Sequence, residues 1–320
     1  MIFLSEIATY LPNNKINNLS RLIEHNTNEN FIKEKIGVET LSVKDPDTET
    51  SDLCVESFRK LKKNKQLIDT KIDCLIVCTQ NPDKNGIPHT SSIIHSKLGL
   101  NENCACFDIS LGCSGYVYSL SIIKSFMQSN GLSNGLLFTC DPYSKILDMS
   151  DKNTSLLFSD AATVTYLRSG TGQRKLESEL SFGKFLFSTK GKDGQALNNN
   201  DGKLLMDGRK IFNFSAKEIP IQVSKILKNS NKSINDIDLF IFHQGSKAII
   251  KFLEKKLQIP EKKIFSNLIN TGNTVSSSIP MILEKILEDN SKKSFLLSGF
   301  GVGLSWATCI LEREIKDEEF

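Results

Sequence analysis

Three side chains in this sequence are placed where they can act on a carbonyl group. Cys113 stands in "DISLGCSGYVYSL", between an apolar run and the first turn of a predicted helix. A thiol at that point meets unpaired backbone N–H groups and the positive end of a helix dipole, which both stabilise a thiolate. The expectation is a nucleophile ionised near neutral pH. Gly112, Ser114 and Gly115 permit a tight strand-to-helix turn and let a substrate carbonyl approach the backbone. His243 closes the apolar run "LFIFHQ", and Asn273 lies in "NTGNTVSSS". Taken singly, each has a plain structural reading: a packed thiol, a satisfied strand-end histidine and a turn residue beside Gly272. Their chemistry depends on whether the chain brings them together.

The elements around them repeat. "KIDCLIVCTQNP" and "DIDLFIFHQGS" each follow a lysine-rich helical stretch, run through four or five apolar residues and end on polar residues that open a helix. "ACFDISLGCSGYVYSLSIIKSFMQSNG" then matches "KIFSNLINTGNTVSSSIPMILEKILEDN" as short strand, glycine-bearing loop and amphipathic helix. Each half closes with two more strands, "GLLFTCD" and "DAATVTYL" in one, "SFLLSGFG" and "GLSWATCIL" in the other. Runs apolar on both faces, alternating with amphipathic helices, predict parallel strands buried between helix layers and an α/β fold. The division falls near residue 170, in "RSGTGQRKLESE", giving halves 1–170 and 171–320. The polar stretch 190–203 reads as an exposed loop. Equivalent strand-to-helix loops of two such halves meet near a pseudo-twofold axis, so Cys113, His243 and Asn273 are expected in one crevice.

Composition narrows the rest. A formal charge of +3, with basic residues scattered among acidic ones, does not point to a nucleic-acid partner. "MIFLSEIATYLP" carries Glu6 and no basic flank, so it reads as a first strand and not a signal peptide, and no apolar run is long enough to span a membrane. Most of the eight cysteines lie in strand-like apolar runs, where reduced thiols pack as small hydrophobes; the cytoplasm is the expected compartment. Cys74 and Cys78, or Cys104 and Cys106, share strand faces but lack a Cys-x-x-Cys or histidine partner, so no metal site is expected.

With these motifs in place, the chain resembles beta-ketoacyl-acyl-carrier-protein synthase III, a decarboxylating condensing enzyme of the thiolase superfamily. The likeness runs nearly end to end, through "FDISLGCSGYVYSL", "IFHQGSKAII", "NTGNTVSSSIP" and "SGFGVGLSWATCIL". It implies a thiolase-like duplicated fold layered α-β-α-β-α and a ping-pong reaction. Cys113 takes an acyl group from an acyl thioester, normally acyl-CoA. His243 and Asn273 donate hydrogen bonds to the carbonyl of a malonyl thioester, and the enolate formed as carbon dioxide leaves attacks the acyl group. The backbone N–H groups of Cys113 and Val302 form the oxyanion hole, Val302 replacing the family's usual glycine.

The resemblance also implies a substrate path through Phe31, Lys35, Phe158, Met206, Gly208, Phe212, Gly245, Ser246 and Gly301, with Ile87 entering the acyl pocket of a partner subunit in a homodimer. Phe31 replaces a tryptophan that stacks on the CoA adenine, while Lys35 and Ala248 replace arginines; neither copies the bidentate phosphate fork of arginine. No cofactor is implied, because coenzyme A and the phosphopantetheine of an acyl carrier protein are substrate carriers. Other readings are transfer of the acyl-cysteine to oxygen, nitrogen or water, and a non-catalytic carrier-protein-binding partner. A papain-type hydrolase uses Cys, His and Asn in the same order, but in a different local motif near its N-terminus.

Overall fold

The computed structural model describes residues 1–64, 71–170 and 179–313. The first sheet comprises β1 (Ile2–Tyr10), β2 (Cys74–Cys78), β3 (Ala105–Ile109), β4 (Asn134–Cys140) and β5 (Ala162–Ser169), in the order β1-β5-β4-β2-β3. The second comprises β6 (Ser181–Thr189), β7 (Leu239–Phe242), β8 (Ser294–Gly301) and β9 (Ser305–Glu312), in the order β7-β8-β9-β6. The two orders match strand for strand except at the edge beside β2 and β7, which β3 occupies in the first sheet. There the second half has only a parallel bridge between Phe240 and Ile264 where a short strand was expected in "KIFSN". The polar stretch expected to divide the halves falls mostly at 171–178, outside the described residues.

The sheets are mixed and not parallel throughout. β2 pairs in parallel with β3 and β4, and β7 with β8, but β1, β5, β6 and β9 pair antiparallel. Chain length explains the case of β8 and β9. Only Val302–Leu304 separates them, far too little for the crossover that a parallel pair needs.

Helices complete five layers. α1 (Thr50–Asn64) and α2 (Thr90–Leu98) cover the outer face of the first sheet. α3 (Gly115–Ser129) and α6 (Ser278–Leu287) lie between the sheets, each packing against strands of both. α4 (Gly208–Asn229) packs on β6, β8 and β9, with α5 (Lys247–Leu257) beside it. The sequence of α6, "SIPMILEKIL", is apolar nearly all round, as a helix enclosed on two faces requires. β2, "CLIVC", is buried at every residue, and all eight cysteines are free thiols.

Residues 190–203 differ from the exposed loop expected. Gly191–Ala196 forms a 3-10 turn, and Leu197–Asn200 pairs antiparallel with the strand Lys203–Met206. Asp201 and Gly202 both have positive φ, 51° and 81°, the conformation that a two-residue Asp-Gly hairpin demands. Ala196, Leu197 and Leu204 are buried, and the Leu204 N–H donates to Ile146 O at 2.8 Å. The surrounding polar residues concealed this alternation in the sequence.

Candidate active site

Cys113 follows β3 and precedes α3, His243 follows β7, and Asn273 follows the short helix Leu268–Thr271 ahead of α6. All three side chains line one cavity of about 780 Å³, together with Phe300 and Gly301. The polarity of each group is set by its neighbours.

Asn273 is held by both sides of the molecule. Its N–H donates to Leu157 O and its carbonyl accepts from Ser159 N–H, each at 2.9 Å. Its Oδ1 accepts from Val275 N–H at 2.9 Å, which leaves the amide NH2 as the group available to the cavity. The carboxamide is therefore presented as a donor.

His243 is buried, and burial holds its imidazole far below the ordinary histidine value, at about 3. It is neutral at pH 7. Nδ1 lies 2.8 Å from Ser278 Oγ, and its ring stands edge-on to Phe300 with centroids 5.6 Å apart. The Ser278 hydroxyl also reaches Val275 O at 3.0 Å, so it can accept from Nδ1 or turn to donate to it. The neutral ring can accordingly offer Nε2 in either hydrogen-bonding sense.

Cys113 departs from the thiolate expected. Burial, and after it the nearby Asp141 carboxylate, push the thiol up to about 12, while N–H groups of Val302 and of Cys113 itself pull it down. At 3% exposure the loss of water outweighs the local donors. The resting group is a thiol with the backbone N–H groups of Val302 and of Cys113 itself beside its sulfur. Gly301 lies so close that a Cβ there would stand 2.8 Å from Sγ.

The cavity also collects most of the predicted substrate path. Phe158 and Gly301 line the cavity with Cys113, and Phe158 forms a parallel bridge with Asn273. Met206 comes from the Asp-Gly hairpin, Gly208 and Phe212 from the start of α4, and Gly245 and Ser246 from the turn into α5, where Ser246 accepts from Ile249 N–H. Phe31 and Lys35 line it as well, with the Nζ atoms of Lys35 and Lys152 at 5.8 and 5.9 Å from the Phe31 ring centroid. Ala248 is also in the wall. Ile87 is not; it is 85% exposed. Sequence reasoning missed Arg209, which lines the cavity, and Asp141, whose carboxyl burial raises to about 6. Asp141 accepts from Gln80 N–H and the Ser276 hydroxyl. A carboxylate ending the apolar strand "NGLLFTCD" was the available signal.

Among the described residues no helix is long and apolar enough to cross a membrane, and no group of three or more His, Cys, Asp or Glu could hold a metal ion.

Comparison with known proteins agrees with this geometry. Residues 107–182 match the family described as 3-oxoacyl-[acyl-carrier-protein (ACP)] synthase III, and residues 227–313 match its C-terminal counterpart. A protein of Clostridium perfringens (strain ATCC 13124) named beta-ketoacyl-[acyl-carrier-protein] synthase III is 35% identical over 319 residues, covering 95% of this chain and 96% of that one. One of the same name from Lactococcus lactis subsp. lactis (strain IL1403) is 29% identical over 324 residues, covering 96% and 98%. Among solved structures, a 3-oxoacyl-(acyl-carrier-protein) synthase III superposes with a TM-score of 0.90 at 29% identity, covering 98% of this chain and 99% of that one. The 3-oxoacyl-(acyl-carrier protein) synthase of Burkholderia xenovorans LB400 gives 0.88 at 29% identity, covering 97% and 93%.

Proposed function

The chain belongs to the beta-ketoacyl-[acyl-carrier-protein] synthase III family, and we propose that it joins an acyl group from acyl-CoA to a malonyl-acyl-carrier-protein by decarboxylating Claisen condensation. The observation that carries this reading is the convergence of Cys113, His243 and Asn273 on one cavity.

In the first half-reaction the Cys113 sulfur attacks the thioester carbonyl. The developing oxyanion takes the N–H groups of Cys113 and Val302, which are fixed before the substrate arrives and need no reorganisation. The C–S bond to coenzyme A breaks, and the thiol proton ends on the departing CoA sulfur. In the second, the malonyl thioester carbonyl accepts from the Asn273 amide and from His243 Nε2–H. Two neutral donors stabilise the enolate oxygen as the carboxylate is lost as carbon dioxide, without providing a cation to trap that carboxylate. The enolate carbon attacks the acyl carbonyl, the same oxyanion hole is used again, and the C–S bond to Cys113 breaks, the sulfur leaving as a thiolate that takes a proton from solvent to restore the thiol.

The carriers, coenzyme A and phosphopantetheine, extend along the cavity between Phe31, Met206, Phe212 and Ser246 toward Lys35 and Arg209. The same reading takes 1–170 and 171–320 as equivalent halves. A homodimer is supported by the half-buried edge strand β3, which shows Phe107 and Ile109, and by the exposure of Ile87. The test uses radiolabelled acetyl-CoA, acyl carrier protein and malonyl-CoA-derived malonyl-acyl-carrier-protein. Label should appear on Cys113 and be lost in Cys113→Ser, while Asn273→Ala keeps the label but releases carbon dioxide at least about 100-fold more slowly. Equal labelling of Cys113→Ser would overturn the assignment.

A further inference from the structure

The strand that leads to the nucleophile begins at a pair of thiols that the condensing reaction does not use. Cys104 and Cys106 flank Ala105, the first residue of β3, and their Sγ atoms are 3.9 Å apart. Two cysteines inside one regular strand would not come so close, because residues two apart are separated by roughly 6.6 Å along it. Cys104 escapes that spacing by ending the turn before β3, where its N–H donates to Asn101 O at 2.9 Å. A disulfide needs about 2.05 Å between the sulfurs, a closure within reach of side-chain rotation.

Seven of the eight cysteines are buried, and Cys106 alone is half-buried. It packs toward the outer layer of α1 and α2, whereas Phe107 and Ile109 face the α3 side. As a thiol Cys106 can donate to Cys104 O at 3.5 Å; as a thiolate it accepts from the Cys104 thiol. That second hydrogen bond above all, with His95 after it, holds Cys106 below the ordinary 9.0, against burial and the Asp108 carboxylate. His95 Nε2 donates to the same Asn101 O at 3.0 Å, which ties α2 to the turn. The bond to Cys106, and burial after it, keep Cys104 a thiol. Cys74, in the adjacent β2, is fully buried and thereby pushed up to about 12, so it does not compete.

We propose that Cys104 and Cys106 form an oxidisable dithiol site, at which Cys106 reduces hydrogen peroxide or another small hydroperoxide and Cys104 closes a disulfide. The Cys106 thiolate attacks one peroxide oxygen and the O–O bond breaks; the departing hydroxide takes up a proton as water, leaving a sulfenic acid. The Cys104 sulfur displaces that hydroxyl, which leaves with the Cys104 proton as a second water. Two thiols and one peroxide thus give one disulfide and two waters. The nucleophile is spared. Cys113, at about 12, and a thiol below 9.0 differ more than about 1,000-fold in thiolate fraction at pH 7. The weaker nucleophilicity of the more acidic thiol returns roughly 30-fold of this, so Cys106 reacts first by about 30-fold.

The reduced full chain is exposed to hydrogen peroxide at pH 7, then unfolded, blocked with N-ethylmaleimide and mapped by peptide mass spectrometry. The peptide holding Cys104 and Cys106 should lose about 2 Da, regain it with dithiothreitol, and change about 30-fold faster than Cys113 is modified. Cys104→Ser, which keeps a hydrogen-bond donor, should stop at a sulfenic acid on Cys106, about 16 Da heavier and captured by dimedone. Cys106→Ser should abolish the loss and leave Cys104 open to N-ethylmaleimide, with thermal melts reporting that both variants fold. Wild type in which Cys106 stays unmodified, Cys113 is oxidised first, or Cys106 passes to sulfinic acid without a disulfide overturns the site whatever the variants do. A loss of about 2 Da that persists in folded Cys106→Ser overturns it as well.

Discussion

Gly301→Ala isolates the contact between the end of β8 and the nucleophile. The obstacle to a side chain there is space. The new Cβ would stand 2.8 Å from both Cβ and Sγ of Cys113, whereas ordinary contact begins near 3.4 Å. Sulfur or strand must therefore move by roughly 0.6 Å, on the scale at which contact energy is forfeited. In the proposed mechanism Val302, the next residue, supplies an oxyanion N–H, so either movement spoils the alignment of sulfur and donor. Misplacement by about 1 Å costs on the order of 100-fold in rate, and loss of one oxyanion donor costs about 100- to 1,000-fold. Acylation by acetyl-CoA should fall by about 100-fold. Overpacking should also destabilise the fold by about 1–3 kcal/mol, a drop of several degrees in Tm. Rapid-quench mass spectrometry reads the first quantity and a thermal melt the second, with Gly191→Ala, whose Cβ would meet nothing within 4 Å, as control. A folded Gly301→Ala protein acylated within about threefold of wild type would refute this account of how the thiol is held.

Two further outcomes concern protons. With its thiol pushed up to about 12, Cys113 should react with iodoacetamide more slowly than an exposed cysteine at pH 7, and its rate should climb about tenfold per pH unit from pH 7 to 9. A plateau with a midpoint below pH 8, measured by peptide mapping, would mean that the backbone donors and helix start outweigh burial. His243 is neutral when folded down to about pH 3, while the unfolded chain binds a proton below its ordinary value of 6.5. Its contribution to stability is thus complete above pH 6.5 and is lost on acidification toward pH 3, by about 5 kcal/mol in all. Asp141, raised to about 6 from 3.8, opposes this: its contribution is present below pH 3.8 and is lost as pH rises through 6. Urea midpoints between pH 7 and 4 should therefore fall more steeply in Asp141→Asn than in wild type, and an equal slope would contradict the assignment.

The duplicated plan was legible because strand periodicity and loop order survive in both halves: "CLIVC" and "LFIF" announce their central strands, His243 directly follows the second, and Cys113 and Asn273 lie in the matching loops that open α3 and α6. Pairing direction was less visible. Apolar runs look alike whether their neighbours are parallel or antiparallel, and the turn after Gly301 decides the matter by its shortness. The ionisation of Cys113 was misjudged for a related reason: the motif displays the local donors, but desolvation comes from residues far away in sequence. The Asp-Gly hairpin carried its signal openly at Asp201 and Gly202, within a stretch whose polarity was given too much weight.

The run "NTVSSS" shows why an active site of this kind needs both halves folded together. Read alone, its three serines are turn-formers; in the fold each has a separate partner. Ser276 donates to Asp141, Ser277 donates to Thr139 O at 3.0 Å, and Ser278 meets His243 Nδ1. Two serines thus tie the second-half loop to strand β4 and the residue following it, and the third orients the imidazole. From the other side, Ser114, next to the nucleophile, hydrogen-bonds to Ser305 at 2.7 Å, and a Cβ on Gly299 would come within 2.7 Å of Cys113 O. These contacts are buried, so a half folded alone would leave the polar groups exposed to water or unpaired, at a cost of about 1–3 kcal/mol for each one buried without a partner. Cys113, His243 and Asn273 are consequently positioned by the association of the halves, and the register of that association is fixed by the same serines that a sequence reading assigns to a turn.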